Sequence, residues 1–128
     1  MVKTKVLLAD SSVFVRILLA NGLENLGFEV VAVAKNGQEA LDMYARCKPD
    51  IALVDLKLDS AGGIEVIRAL VKNNPLAVVA LLIPENMDDP EVIVEAVRAG
   101  AKAYIKKPTS GEEMKKRLAN LAGRGEEK

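Results

Sequence analysis

Three short stretches carry an apolar run directly into polar residues: VLLADSS (6–12), IALVDLK (51–57) and AYIKKP (103–108). The first delivers Asp10 and Ser11, the second Asp55, the third Lys107. Brought to one place, two carboxylates and an ammonium could do nucleophilic chemistry, one carboxylate attacking an electrophilic centre while the cation neutralises the charge that develops. Two carboxylates held close together also repel each other unless a cation or a proton sits between them. A hard divalent ion such as Mg²⁺, which accepts a few carboxylate and carbonyl oxygens and keeps several waters, meets that need. Histidine is absent, which excludes a serine–histidine–aspartate triad, a histidine general base and histidine metal ligation. Any chemistry rests on carboxylates, lysines and hydroxyls.

These residues meet only if the runs before them are strands of one sheet. Five candidates occur, KVLLA (5–9), EVVAVA (29–34), IALVD (51–55), AVVALLI (77–83) and KAYIK (102–106), separated by longer segments with helical periodicity. The first, third and fourth are apolar throughout, as strands covered on both faces should be. The fifth alternates Lys102, Tyr104 and Lys106 with Ala103 and Ile105, which predicts a sheet edge. Helix starts are marked by Asn36 with Glu39 three residues on, by Ser110 with Glu113, and by Asp89 followed by Pro90. Arg98 and Gly100 mark the end of the third of these. Repeated strand–helix pairs with short connections predict right-handed βαβ units and a doubly wound parallel sheet of the α/β class, with five strands and five helices. In such a sheet ligands bind beyond the carboxyl ends of the strands, where Asp10, Ser11, Asp55, Ile83, Pro84 and Lys107 fall.

The composition fits that architecture. Half of the 128 residues are hydrophobic but only 3% are aromatic, so the core is built from Val, Leu, Ile and Ala. The length suits a single domain over 1–128, with an ordered core at about 3–122 and a charged, glycine-broken tail at 123–128. Eighteen basic residues balance eighteen acidic ones, so no net field draws the chain to nucleic acid or to an anionic membrane. Cys47 is the only cysteine and cannot form an internal disulfide. With no charged-then-apolar leader and no bilayer-length apolar run, a reducing, cytoplasmic setting is expected. Cys47 and Lys106 read as ordinary structure and surface.

VLLADSSVFVR, KPDIALVDLKLDSAGGIEVI with Gly63 eight residues past Asp55, EAVRAGAKAYIKKP and the five-fold alternation together resemble the receiver domains of bacterial response regulators. The resemblance covers almost the whole chain and implies a flavodoxin-like, three-layer α/β/α sandwich with strand order 2-1-3-4-5. It implies that Asp55 accepts a phosphoryl group from a histidine kinase or phosphotransfer protein and that Lys107 contacts the phosphoryl oxygens. Asp10, Asp55 and the main-chain carbonyl of Lys57 would hold Mg²⁺, and Tyr104 would change rotamer on activation. Output would pass through the fourth helix, fifth strand and fifth helix, to a protein partner or a second copy. The run Lys115, Lys116 and Arg117 there reads as a solvated face, with Met114, Leu118 and Leu121 toward the core.

Two positions depart from the family pattern. A second acid that normally binds the metal is replaced by Ser11, which could instead serve as N-cap of the first helix. A charge contact at about 4 Å is worth on the order of 4 kcal/mol at an effective dielectric near 20, so weakened Mg²⁺ binding is expected. Asp59 could restore a charge from another direction. After the fourth strand, where the family places a serine or threonine that hydrogen-bonds the phosphoryl group, alignment of the apolar run puts Ile83, which cannot donate. The alternative to a phospho-switch is a pseudo-receiver acting only through protein–protein contacts. A flavin or nucleotide binder of similar architecture would need a phosphate-cradling loop, and ADSSVF has no glycine and carries an acid.

Overall fold

The computed structural model describes residues 3–58, 62–107 and 111–123. Strands β1 (Lys5–Ala9), β2 (Glu29–Ala34), β3 (Ile51–Asp55), β4 (Val79–Pro84) and β5 (Ala103–Lys107) alternate with helices α1 (Val13–Asn25), α2 (Gly37–Cys47), α3 (Gly63–Asn73), α4 (Pro90–Ala99) and α5 (Gly111–Gly123). All pairings are parallel and the sheet order is β2-β1-β3-β4-β5. The predicted order and edge position of β5 therefore hold. β3 is buried at every position, consistent with its central place.

Strand pleat divides the core in two. Val6, Leu8, Leu53, Leu82 and Ile105 pack with Leu23 of α1 and Met114, Leu118 and Leu121 of α5. Leu7, Ala9, Val54, Leu81 and Ile83 face the other way, onto α2, α3 and α4. Two helices on one face and three on the other make the expected three layers. The core lacks aromatics apart from Phe28, so small and branched aliphatic side chains fill both interfaces.

The helix ends follow the predicted chemistry at two of three starts. Asn36 accepts a hydrogen bond from Glu39 N at 2.9 Å, and the Glu39 carboxylate reaches back to Lys35 N at 2.9 Å. Asp89 accepts from Glu91 N at 3.0 Å with Pro90 next, and Gly100 ends α4 at φ +117°. A Cβ at Gly100 would also lie 2.7 Å from the Val71 side chain, so both backbone conformation and space require glycine. The reading of Ser110 as a cap falls outside the described residues.

Two strand boundaries shift. The fourth strand begins at Val79 rather than Ala77 and runs on to Pro84, and the fifth begins at Ala103 and includes Lys107. Proline ends β4 at a point where the ladder no longer needs its missing N–H. α1 departs from the ordinary pattern of a surface helix. It is apolar nearly all round, and its face away from the sheet leaves Val13, Phe14, Ile17 and Leu18 between 56% and 72% exposed. Gly22 within it costs about 1 kcal/mol of helix stability relative to alanine.

Candidate functional site

Register brings the candidate residues to one level. Ala9 pairs with Val54, Asp55 with Leu82, and Pro84 with Lys107, so Asp10, Asp55, Pro84 and Lys107 end neighbouring strands side by side. Pleat then turns them to the same face, because each stands two residues beyond a side chain of the α1/α5 core: Leu8, Leu53, Leu82 and Ile105. Asp10 and Asp55 are the two buried charged residues among those described, at 1% and 5% exposure.

Lys107 holds the two acids together. Its Nζ donates to Asp10 Oδ2 at 2.7 Å and to Asp55 Oδ1 at 3.0 Å, and its side chain is largely shielded from water. Burial, the largest single influence, pulls the lysine down, but the hydrogen bonds and charges of Asp10 and Asp55 together outweigh it. The ammonium is held above the ordinary lysine value. The loop after β1 fixes Asp10 from both ends. Its Oδ1 accepts from Ser12 N at 3.0 Å, its carbonyl accepts from Arg16 Nη1 at 2.7 Å, and its own N–H donates to Ala34 O at 3.0 Å. Asp55 Oδ2 receives no hydrogen bond from the described residues.

Asp55 is also fixed by Gly63. A Cβ there would lie 2.0 Å from the Asp55 carbonyl oxygen, and the Gly63 N–H donates to Leu56 O at 2.8 Å. Only glycine lets the start of α3 close onto the end of β3 in this way.

Several expectations change. The N-cap of α1 is Ser12, whose Oγ accepts from Val15 N at 3.2 Å, and not Ser11. Ser11 is exposed and donates its hydroxyl to Lys57 O at 3.3 Å. Ile83 is buried on the α2/α3/α4 face and does not line the acidic site; Pro84 and Glu85 do. One residue of pleat separates the two faces, so the position found by aligning the apolar run is off by that step. Neither Pro84 nor an ionised Glu85 offers a side-chain donor. Asp59 lies outside the described residues. Tyr104 points outward at 37% exposure, with the Arg117 guanidinium 5.8 Å from its ring centroid. Arg117 also donates to Tyr104 O at 3.0 Å and to Glu113 Oε2 at 2.9 Å, so it is not a free solvated residue. Arg16 and Ser12 were missed; an arginine six residues past Asp10, on the face of α1 that turns back to the loop, was the available signal.

Apart from Asp55 Oδ2, the oxygens that a divalent ion would use already have partners. Both Asp10 oxygens, Asp55 Oδ1 and Lys57 O each accept a hydrogen bond, two of them from the Lys107 ammonium. No group of three or more acidic, histidine or cysteine side chains converges among the described residues. An incoming ion would find Asp55 Oδ2 open, but it would compete with Lys107 for the other carboxylate oxygens and with Ser11 for Lys57 O, with only two carboxylates to receive it.

Beside the acids a groove of about 750 Å³ runs between α1 and α5, lined by Val15, Leu18, Leu19, Gly22, Leu26 and Met114. No helix of the described residues is long and apolar enough to cross a membrane.

Comparison with known proteins agrees with this fold. The family model described as response regulator receiver domain matches residues 6–119. The chain is 35% identical over 104 residues to chemotaxis protein CheY of Thermotoga maritima, covering 81% of this chain and 85% of the relative. Against chemotaxis protein CheY of Listeria monocytogenes it is 32% identical over 118 residues, covering 92% and 98%. Among solved structures, a response regulator from Thermotoga maritima superposes with a TM-score of 0.83 at 30% identity, covering 95% of this chain and 99% of that one. Vibrio cholerae chemotaxis protein CheY4 gives 0.86 at 25% identity, covering 94% and 99%.

Proposed function

This chain belongs to the response regulator receiver domains of two-component signalling, and we propose that it accepts a phosphoryl group on Asp55. The observation that carries the reading is the Lys107 ammonium at the end of β5, shared by Asp10 and Asp55 at the ends of β1 and β3. Asp55 Oδ2 attacks phosphorus, an O–P bond forms to give an acyl phosphate, and the bond to the donor breaks with its electron pair leaving on the donor. For a phosphohistidine donor that is the P–N bond, and the imidazole nitrogen keeps the pair. Lys107 neutralises charge on the transferred group, which is where preorganised electrostatics contributes most. No step is routed through a metal. Mg²⁺ binding is weakened, because Ser11 supplies a neutral hydroxyl that is already engaged with Lys57 O.

The donor is a histidine kinase or phosphotransfer protein. Output runs through α4, β5 and α5 to a protein partner or a second copy, with Tyr104 and Arg117 on that surface and nucleic acid not contacted directly. The setting is the cytoplasm. Labelling by acetyl phosphate, followed by intact mass, tests the core of this reading: wild type gains one phosphoryl group and Asp55→Asn gains none. Labelling that persists in Asp55→Asn would reassign the acceptor.

A second reading, a pseudo-receiver that binds partners without phosphorylation, is favoured by the Ser11–Lys57 hydrogen bond and by the lack of a donor at Pro84 and Glu85. Amide NMR with beryllofluoride separates the two. Shifts that start at Asp55 and Lys107 and spread to Tyr104 support the switch; an unchanged spectrum supports the pseudo-receiver.

A further inference from the structure

We propose that β2, at the edge of the sheet opposite β5, pairs antiparallel with β2 of a second copy, so that two chains share one continuous sheet about a two-fold axis at Ala32. The contact does not depend on phosphorylation and leaves α4, β5 and α5 uncovered.

The hydrogen bonds of β2 fix which of its residues face outward. Ala34 O accepts from Asp10 N at 3.0 Å and Glu29 N donates to Thr4 O at 2.9 Å, so both residues turn their backbone groups toward β1. Successive residues of a strand turn those groups to opposite sides, which puts Val33 N–H on the open edge. The register with β1 shifts between Val6 and Leu7, which makes Val31 the extra residue of β2, and its carbonyl accepts only a long contact of 3.8 Å from the Cys47 thiol. Nearer the start of the strand the edge is already closed, because Val30 N donates to the Glu24 carboxylate at 3.0 Å. An outward donor at Val33 and a weakly used acceptor at Val31 thus flank Ala32. An antiparallel copy centred there sets each Val33 N–H against the Val31 carbonyl of the other chain. A groove of about 380 Å³, lined by Val31, Val33, Met43, Arg46 and Cys47, opens along this edge beside α2.

Charge selects a second copy as the occupant and sets its direction. Glu29 opens the strand, Lys35 follows its end, and Ala32 lies midway between them. Both are exposed, and neither forms a salt bridge among the described residues. Antiparallel pairing about Ala32 brings Glu29 of each chain opposite Lys35 of the other and Val31 opposite Val33, whose side chain is 38% exposed. Parallel pairing in register would set Glu29 against Glu29. The patch is therefore complementary to itself, as a two-fold interface requires. The opposite edge lacks this property: Tyr104 O already accepts from Arg117 Nη1 at 3.0 Å, and AYIKK carries two lysines and no acid.

The test is sedimentation equilibrium of the full chain up to about 1 mM, as wild type, Glu29→Lys, Lys35→Glu, the double variant, Val33→Pro and Val97→Glu. Wild type passes from monomer to dimer, and its Val33 amide exchanges with deuterium more slowly at high protein concentration than at low. Each dimer holds two Glu29–Lys35 contacts, so either single reversal weakens it by about tenfold and the double variant recovers the wild-type dissociation constant. Val33→Pro removes the edge donor without taking a bond from β1, and abolishes the dimer. The charge variants alter exposed side chains alone and stay informative if Val33→Pro does not fold. A monomer at every concentration overturns the proposal, as does a dimer equally tight in Glu29→Lys or one that the double variant fails to recover. A dimer that survives Glu29→Lys and is lost in Val97→Glu, on the exposed face of α4, also overturns it and assigns self-association to the other edge.

Discussion

Lys107 ties Asp10 and Asp55 together, and its removal should be read in the stability of the fold. It is the shared partner of two carboxylates that are almost wholly buried, so Lys107→Met leaves both without their cation. Loss of one partner from a buried ion pair costs about 3–5 kcal/mol, and urea denaturation at neutral pH should show a destabilisation at the low end of that range, since Lys107 keeps some contact with water. The pH dependence has a defined sign. Because the folded-state value is raised, the stability that Lys107 contributes is fully present below the ordinary lysine value and is lost as pH rises through the folded value. Wild type should therefore lose stability on going to strongly alkaline pH, and Lys107→Met should lose less over the same window. Gly63 is the second residue on which the site depends. Gly63→Ala forces a Cβ into the Asp55 carbonyl, a backbone clash that no rotamer relieves. It should destabilise the fold by several kcal/mol and broaden the amide resonances of Asp55 and Leu56, whereas Gly22→Ala, into open space, should stabilise.

At the scale of elements, the helix ends give the sharpest comparison. Asp89 caps α4 through Glu91 N, and Asp89→Ala should cost about 1 kcal/mol, read as a lower midpoint in denaturant without a change of slope. These caps were legible because N-cap chemistry is local, with side chain and N–H within a few residues of each other. The same local rule pointed to Ser11 for α1, although Ser12 satisfies it equally and is the cap. Asp10 decided the matter: its Oδ1 takes the Ser12 N–H, which sets the helix to start one residue later and turns Ser11 toward β3. β4 shows a similar limit. An apolar run has no internal marker of pleat, so the alternation that buries Ile83 away from the site and presents Pro84 to it comes from pairing with β3 and β5.

For the whole molecule, the departure at Ser11 predicts how the fold responds to divalent ions. A ligand that binds the native state alone stabilises it by mass action, about 2.7 kcal/mol at a hundred times its dissociation constant. Because all the site oxygens but Asp55 Oδ2 are already engaged, millimolar Mg²⁺ should leave the wild-type melting temperature nearly unchanged. Ser11→Asp adds a third carboxylate next to Lys57 O, and its melting temperature should rise with Mg²⁺. A wild-type rise as large as that of Ser11→Asp would show that Lys107 gives way to the ion easily and that the hydroxyl suffices.

The sequence by itself determined the layered α/β architecture, the parallel sheet with β5 at its edge, and the placing of Asp10, Asp55 and Lys107 at strand ends. Apolar runs, helical periodicity and cap residues are properties of a few neighbouring residues, and short connections leave few ways to arrange them. The tertiary structure alone decided what each polar atom touches. The Lys107 bridge spans 97 residues to Asp10, the Ser11–Lys57 hydrogen bond spans 46, and Arg117 meets Tyr104 only because α5 returns beside β5. The groove beside Gly22 is of the same kind. Glycine in a helix announces a cost, but only the approach of α5 shows that a groove lies beside it, and that it leads to Asp55.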